Sequence, residues 1–355
     1  AGNTCIHHLF MNIDPKPLTV APYEAVVTDE MVIPASQADL HVHPDAMLQV
    51  LPNIAGFVGA DTVACMLAVE FDKLDDWTLM IDIGTNGEMV MGNKDRMIAC
   101  STAAGPAFEG AKLDCGMRGK PGAIDHIRWD GKQMICHVIG QEEAAQSGKA
   151  QVQEAEANGG TKGLREAAAN GKAAQKDNAE TVQALGICGS GLMDAVACAL
   201  DAEIIDETGL IDDEHEWAIE LEQNNSTAIR LTDNIYLSQK DVREAQLAKG
   251  AMAAGIDLLA KQLGIAITDI KKVMIAGAFG NYMDPHSACR IGLIPAELED
   301  RIEMIGNAAG MGSIIATVNH EEFLRAQKLR DQAQFLELAS DPDFQDTFVD
   351  NLMFE

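Results

Sequence analysis

Leu79-Met80-Ile81-Asp82-Ile83-Gly84-Thr85-Asn86-Gly87-Glu88-Met89-Val90-Met91 is the stretch that decides the fold. Trp77 to Ile83 is apolar enough to form a strand buried on both faces. Glu88 to Met91 reads as a second strand, and Asn86-Gly87 between the two is a strong tight-turn signal. Such a hairpin can present backbone N–H groups and hydroxyls, those of Thr85 and Asn86 among them, to phosphate oxygens. Glycine at 84 and 87 lets a ligand approach the backbone with no Cβ in the way. Asp82, at the strand end, suits Mg²⁺ held through water, because Mg²⁺ dehydrates reluctantly. An ordinary hairpin with an Asn-Gly turn would account for the same residues.

Other segments narrow the choice. Gly277-Ala278-Phe279-Gly280-Asn281 follows a short apolar strand, Lys272 to Ala276, and its small residues let an adenine or ribose lie against the backbone. Alone it is a weak signal, equal to any strand-to-helix turn. The pairing is stronger: a phosphate-type hairpin, then a glycine turn about 190 positions later (Gly87 to Gly277), each beside an apolar strand. That order matches the superfamily of acetate and sugar kinases, heat-shock ATPases and actin. Gly189-Ser190-Gly191 opens a helix and suits either an anion or close helix packing. Ser101, Thr102 and Glu109 flank Gly105 and offer phosphate contact or water positioning; capping hydroxyls in a turn are the plain alternative. Asp61 starts a helix through Cys65, Met66 and Leu67, where it can orient a hydrolytic water or simply place negative charge at a helix N-terminus.

The rest of the chain sets bounds. Its 355 residues suffice for two lobes, and 47% hydrophobic with 23% charged residues is ordinary for a globular protein. A net charge of −29 repels nucleic acid and anionic membranes. No apolar run is long enough to cross a bilayer and no signal peptide is seen, so the expected location is the cytoplasm. The eight cysteines are scattered, with no C-x-x-C pair and no plant-type ferredoxin spacing; they read as small buried hydrophobes. His7, His8, His41 and His43 lack the Cys or carboxylate partners that a tetrahedral metal site needs. Residues 141–181 hold almost no large apolar side chain and read as an exposed insertion. Ser238 with Asp241 nearly forms a capping box for a helix that Gly264 ends, and Asp284-Pro285 opens another. Two helices, over about 320–338 and 342–351, are expected to close the chain. Ala1-Gly2-Asn3-Thr4 begins inside what reads as a structured element, as a piece of a longer protein would.

At this point the likeness tightens to one family. Leu79 to Glu88, Ala99 to Gly110, Cys115-Gly116-Met117-Arg118, Gly186 to Leu192, Leu51 to Thr62 and Ala276 to Asn281 resemble segments of the reductive activators of corrinoid proteins, in the same order. The likeness covers nearly the whole chain outside 141–181. It implies an α/β actin-like (ribonuclease H-like) two-lobe fold whose first lobe is truncated. Residues 1–75 would be the remainder of that lobe, 76–318 the second lobe with the nucleotide motifs, and 319–355 C-terminal helices. It implies ATP hydrolysis coupled to the return of a corrinoid cobalt from Co(II) to Co(I), with ATP and Mg²⁺ as ligands and a corrinoid protein of a methyltransferase system as partner. Electrons would come from a [2Fe–2S] cluster on an N-terminal ferredoxin domain. Neither that domain nor an earlier Asp-Ile-Gly-Thr-Thr-type hairpin is found in the sequence, so the chain alone is expected to bind ATP weakly or not at all, to pass no electrons and to be inactive by itself; a homodimer is compatible with the assignment. Asp82, Glu109 and Asp61 are the catalytic candidates. Gly84, Thr85, Asn86, Gly87, Ser101, Thr102, Gly189, Ser190 and Gly277 through Asn281 are the ATP-binding ones. The competing readings are an activator of 2-hydroxyacyl-CoA dehydratases, a small-molecule kinase and a non-catalytic docking module.

Overall fold

The computed structural model describes residues 1–103, 105, 107–141, 182–222, 225–277 and 282–354. The insertion beyond Gln141, and Ala278, Phe279, Gly280 and Asn281 of the glycine turn, lie outside the described residues. In chain order the elements used below are α1 (Thr4–Phe10), β1 (Met31–Pro34), β2 (Met47–Val50), α2 (Ala60–Ala68), β3 (Thr78–Ile83), β4 (Gly87–Gly92) and β5 (Met97–Thr102). Then come β6 (Ala123–Trp129), β7 (Met134–Val138), β8 (Gly186–Ile187), α3 (Gly189–Asp201), β9 (Ala218–Leu221), β10 (Ser226–Arg230), β11 (Tyr236–Ser238) and α4 (Gln239–Leu263). The chain ends with β12 (Lys272–Ala276), α5 (Pro285–Arg290), β13 (Ile302–Gly306), α6 (Ala308–Val318), α7 (His320–Gln332), β14 (Ala333–Phe335) and α8 (Phe344–Asp350).

The central sheet has six strands in the order β13-β12-β3-β4-β5-β14. β3, β4 and β5 form an antiparallel meander, while β12 runs parallel to β3 and β13 parallel to β12. Alternation along the meander divides the core. Leu79, Ile81, Met89, Met91, Ile98 and Cys100 face a cluster built with α3 and α4. Met80, Val90 and Ala99 face a second cluster built with α2, α6 and α7. Both faces of β3 are therefore covered, as its unbroken apolar run requires.

Glycine permits the tightest helix crossing. A Cβ added at Gly312 of α6 would lie 1.9 Å from the Ala64 carbonyl oxygen of α2. α2 is anchored at its start by Asn53, whose side-chain oxygen accepts from Ala60 N at 3.1 Å and whose amide bonds His7. His8 also works in the interior: its ring joins the Thr4 carbonyl at 2.8 Å and accepts from Val26 N at 3.0 Å.

α4 has the ends expected of it: Ser238 and Asp241 form a full capping box, and Gly264 closes the helix at φ 72°. The C-terminal stretch differs from its expectation. The helix predicted to about 338 stops at Gln332, and β14 pairs parallel with β5 through Ala333↔Met97 to Phe335↔Ala99. The open edge of β5 offers unpaired backbone groups, and satisfying them outweighs continuing the helix. Among the described residues no helix is long and apolar enough to cross a membrane.

Candidate functional site

Three carboxylates gather where β3 and β4 meet α2. The register pairs Asp82 with Glu88 and Glu88 with Ser101, placing them in one row across the meander. Ser101 Oγ donates to Glu88 Oε1 at 3.4 Å. α2 lies over this face and brings Asp61 and Cys65, whose thiol donates to Asp82 Oδ2 at 3.6 Å. Asp61 Oδ1 accepts from Thr62 N at 2.9 Å. Burial pushes the Glu88 carboxyl up to about 8, with the charges of Asp61 and Asp82 adding to it. Asp82 is raised by burial and then by Asp61, and Asp61 is raised by burial. The Cys65 thiol is driven up mainly by burial, so it stays protonated and donates.

Gathered like charges in a low-dielectric site take up either protons or a cation. Among the described residues no three His, Cys, Asp or Glu side chains converge to hold a metal ion directly. The carboxylate oxygens of Asp61, Asp82 and Glu88 are the kind of donor that Mg²⁺ takes, with water completing its shell. Space beside Asp82 is kept by Gly277: a Cβ there would come within 2.6 Å of Asp82 Oδ1, and its φ of 89° favours glycine. β12 and β3 are parallel neighbours with Ala276 opposite Asp82, so the hairpin and the glycine turn meet at one end of the sheet. The described part of that turn ends at Gly277.

A cleft of about 400 Å³ opens beside this point, lined by Ile83 and Gly84 of the hairpin, Glu109, the start of α3 at Cys188, Gly189 and Ser190, and Tyr282. Thr85 Oγ1 donates to Glu109 and ties the hairpin to the 107–110 turn. The Asn86 carbonyl accepts from Gly84 N at 2.9 Å and closes the hairpin tip. α3 has no side-chain cap on its first turn, which leaves its N-terminal N–H groups open to an acceptor.

The structure thus sorts the candidate residues. Asp61, Asp82 and Ser101 join the carboxylate row; Gly84, Glu109, Gly189 and Ser190 line the cleft; Thr85 and Asn86 shape the hairpin tip; Gly277 stands beside Asp82. Two face elsewhere. Thr102 is 4% exposed and donates to the Ala251 carbonyl of α4 at 3.2 Å. A Cβ on Gly87 would lie 2.0 Å from Met252 Sδ, so that glycine permits α4 to pack whatever else it does. Three further residues went unassigned in the sequence. Glu88 was open to inference, since any tight turn after Ile83 sets the start of β4 against Asp82; the turn is the three residues Gly84, Thr85 and Asn86 rather than Asn86-Gly87, because Gly87 already pairs with Ile83 and Glu88 with Asp82. Arg118 lines the cleft and belongs to one of the recognised segments. Tyr282 had no local signal.

Known proteins resemble this chain along its whole length. Residues 76–355 match the family model described as the C-terminal domain of RACo, the ASKHA domain, and residues 1–74 match the RACo middle region. The chain is 33% identical over 368 residues to the corrinoid activation enzyme RamQ of Eubacterium limosum, covering 99% of this chain and 55% of that protein. It is 29% identical over 317 residues to the [Co(II) methylated amine-specific corrinoid protein] reductase of Methanosarcina barkeri, covering 87% of this chain and 53% of that protein. A solved reductive activator for corrinoid, iron-sulfur protein superposes with a TM-score of 0.80 at 29% identity, covering 100% of this chain and 52% of that one. The chain spans about half the length of these relatives. With the ASKHA, actin-like fold and its nucleotide-type hairpin in place along this length, the chain belongs to the RACo family of reductive corrinoid activators.

Proposed function

We propose that this chain is the ATP-hydrolysing part of an activator that returns a corrinoid protein from Co(II) to Co(I). The observation that carries the reading is the meeting of Asp82 with Gly277 across β3 and β12, beside a cleft floored by the hairpin. In this reading the phosphates lie against Gly84, Thr85 and Asn86 and the open first turn of α3 at Gly189 and Ser190, and the adenosine against Gly277 through Asn281. Asp82 and Glu88 are the residues that would hold Mg²⁺, which would supply positive charge to the phosphates when bound. Asp61 and Glu109 are the candidates for orienting the attacking water.

ATP and water give ADP and phosphate, while one electron, from a [2Fe–2S] domain outside this sequence, converts Co(II) to Co(I). Hydrolysis can drive the second change only by favouring a conformation in which the cobalt is easier to reduce. ATP turnover by the chain, measured with and without a Co(II) corrinoid protein, tests the reading. Stimulation by the corrinoid protein is expected; transfer of phosphate to a metabolite would instead make it a kinase.

A further inference from the structure

Five cleft-lining positions decide the electrostatics of the proposed nucleotide site: Glu109, Asp125, Arg118, Gly189 and Ser190. Both carboxylates are already engaged. Glu109 accepts the Thr85 hydroxyl, and Asp125 holds His137 Nδ1 at 2.6 Å. Arg118 is the one Lys or Arg among the described lining residues; it is exposed, and it makes no hydrogen bond or ion pair with another described residue. Arg128 and Arg230 are likewise exposed with no side-chain partner among the described residues, so what distinguishes Arg118 is its place on the lining of the cleft. Elsewhere Arg96, Arg243, Arg301, Arg325 and Arg330 each hold a carbonyl or carboxylate.

The backbone beneath Arg118 is fixed even though its side chain is unbonded. Ile187 N donates to the Cys115 carbonyl at 2.9 Å, and Met117 N donates to the Ile187 carbonyl at 2.9 Å. Gly110 and Gly116 pack so tightly that a Cβ on either would meet the other segment's backbone, the Met117 oxygen at 2.2 Å and the Gly110 oxygen at 2.1 Å. These bonds clamp the residue preceding Arg118 to β8, which runs directly into Cys188 and the first turn of α3. The guanidinium therefore starts from a rigid base next to the cleft. A planar fork of N–H donors on the lining of this cleft, engaged by no described residue, suits an incoming oxyanion, and guanidinium pairs with phosphate oxygens bidentately.

The geometry points to Arg118 as the side chain that grips the phosphate chain of the nucleotide in this cleft. The inference rests on the nucleotide reading of the site and adds the residue that supplies its positive charge. No contact with a described residue has to be broken for this one to form.

Equilibrium binding of ATP, ADP and adenosine to the 355-residue chain and to Arg118→Met, Arg118→Lys and Lys120→Met variants tests it. Lys120 is exposed and outside the cleft lining, and serves as the charge control. Arg118→Met should weaken ATP and ADP by about tenfold to a hundredfold, the range expected for hydrogen bonds to charged groups. Arg118→Lys should keep part of the affinity, Lys120→Met all of it, and adenosine should bind all four proteins alike. Thermal unfolding of Arg118→Met should match the parent, since no internal bond is lost. ATP binding unchanged in Arg118→Met, or an equal loss for adenosine, would overturn the assignment of Arg118 while leaving the nucleotide reading intact. A parent chain that binds none of the three would overturn the nucleotide reading, and Arg118's role with it.

Discussion

Glu88 shows how a residue's setting becomes a measurable property. Its carboxyl is held at about 8 by burial and by Asp61 and Asp82, far above the ordinary carboxylate range. A carboxyl raised on folding binds its proton more tightly in the folded chain. It therefore contributes stability at acid pH that is lost as pH rises from the ordinary carboxylate range through about 8. Urea unfolding should show stability falling between pH 5 and pH 8.5 by on the order of a few kcal/mol, and Glu88→Gln should flatten that fall. Identical pH profiles for parent and variant would mean that Glu88 ionises freely. At Gly277, alanine would force a left-handed φ of 89° and a contact of 2.6 Å with Asp82 Oδ1. Gly277→Ala should cost about 1–3 kcal/mol in urea unfolding and at least tenfold in ATP affinity. Gly277 and Asp82 stood out in the sequence because glycine and aspartate encode backbone room and charge directly, whereas Glu88 was not singled out. Thr102 was not: its letters suit a phosphate contact, and only the register of β5 on β4 turns it toward α4.

At the scale of elements, sequence signals served well wherever a structure is decided locally. Ser238, Asp241 and Gly264 bracket α4 because caps satisfy groups within a few residues. Ser238→Ala should destabilise the chain by about 1 kcal/mol, read as a shift in the urea midpoint. β14 was missed because Ala333-Gln334-Phe335 follows a helix, and its strand state comes from β5, more than two hundred positions away. β6 and β7 escaped for a related reason: a bulge between Ile124 and His126 breaks the alternation that marks a strand. The α2–α6 crossing depends on one glycine. Gly312→Val should force the helices apart and cost about 3 kcal/mol, the upper end for overpacking, with greater exposure of the Asp82 region to hydrogen exchange. Unchanged exchange at β3 would show that the crossing does not support the carboxylate row.

At the scale of the whole molecule, one arrangement gives the site its parts. Residues before 75 supply α2, with Asp61 and Cys65; the meander supplies Asp82 and Glu88; β12, nearly two hundred positions later, supplies Gly277. The sheet order brings Asp82, Glu88 and Gly277 to one end. The net charge of −29 makes nucleotide binding depend on a few local donors, so affinity for ATP should respond to Arg118 and to Mg²⁺ far more than to surface lysines. The most direct measurement is Co(I) formation, followed by its absorbance, when a reduced [2Fe–2S] activator containing this chain meets a Co(II) corrinoid protein. The account predicts that Co(I) accumulates only with hydrolysable ATP and that Asp82→Asn abolishes it. Equal Co(I) formation without ATP, or with Asp82→Asn, would contradict it.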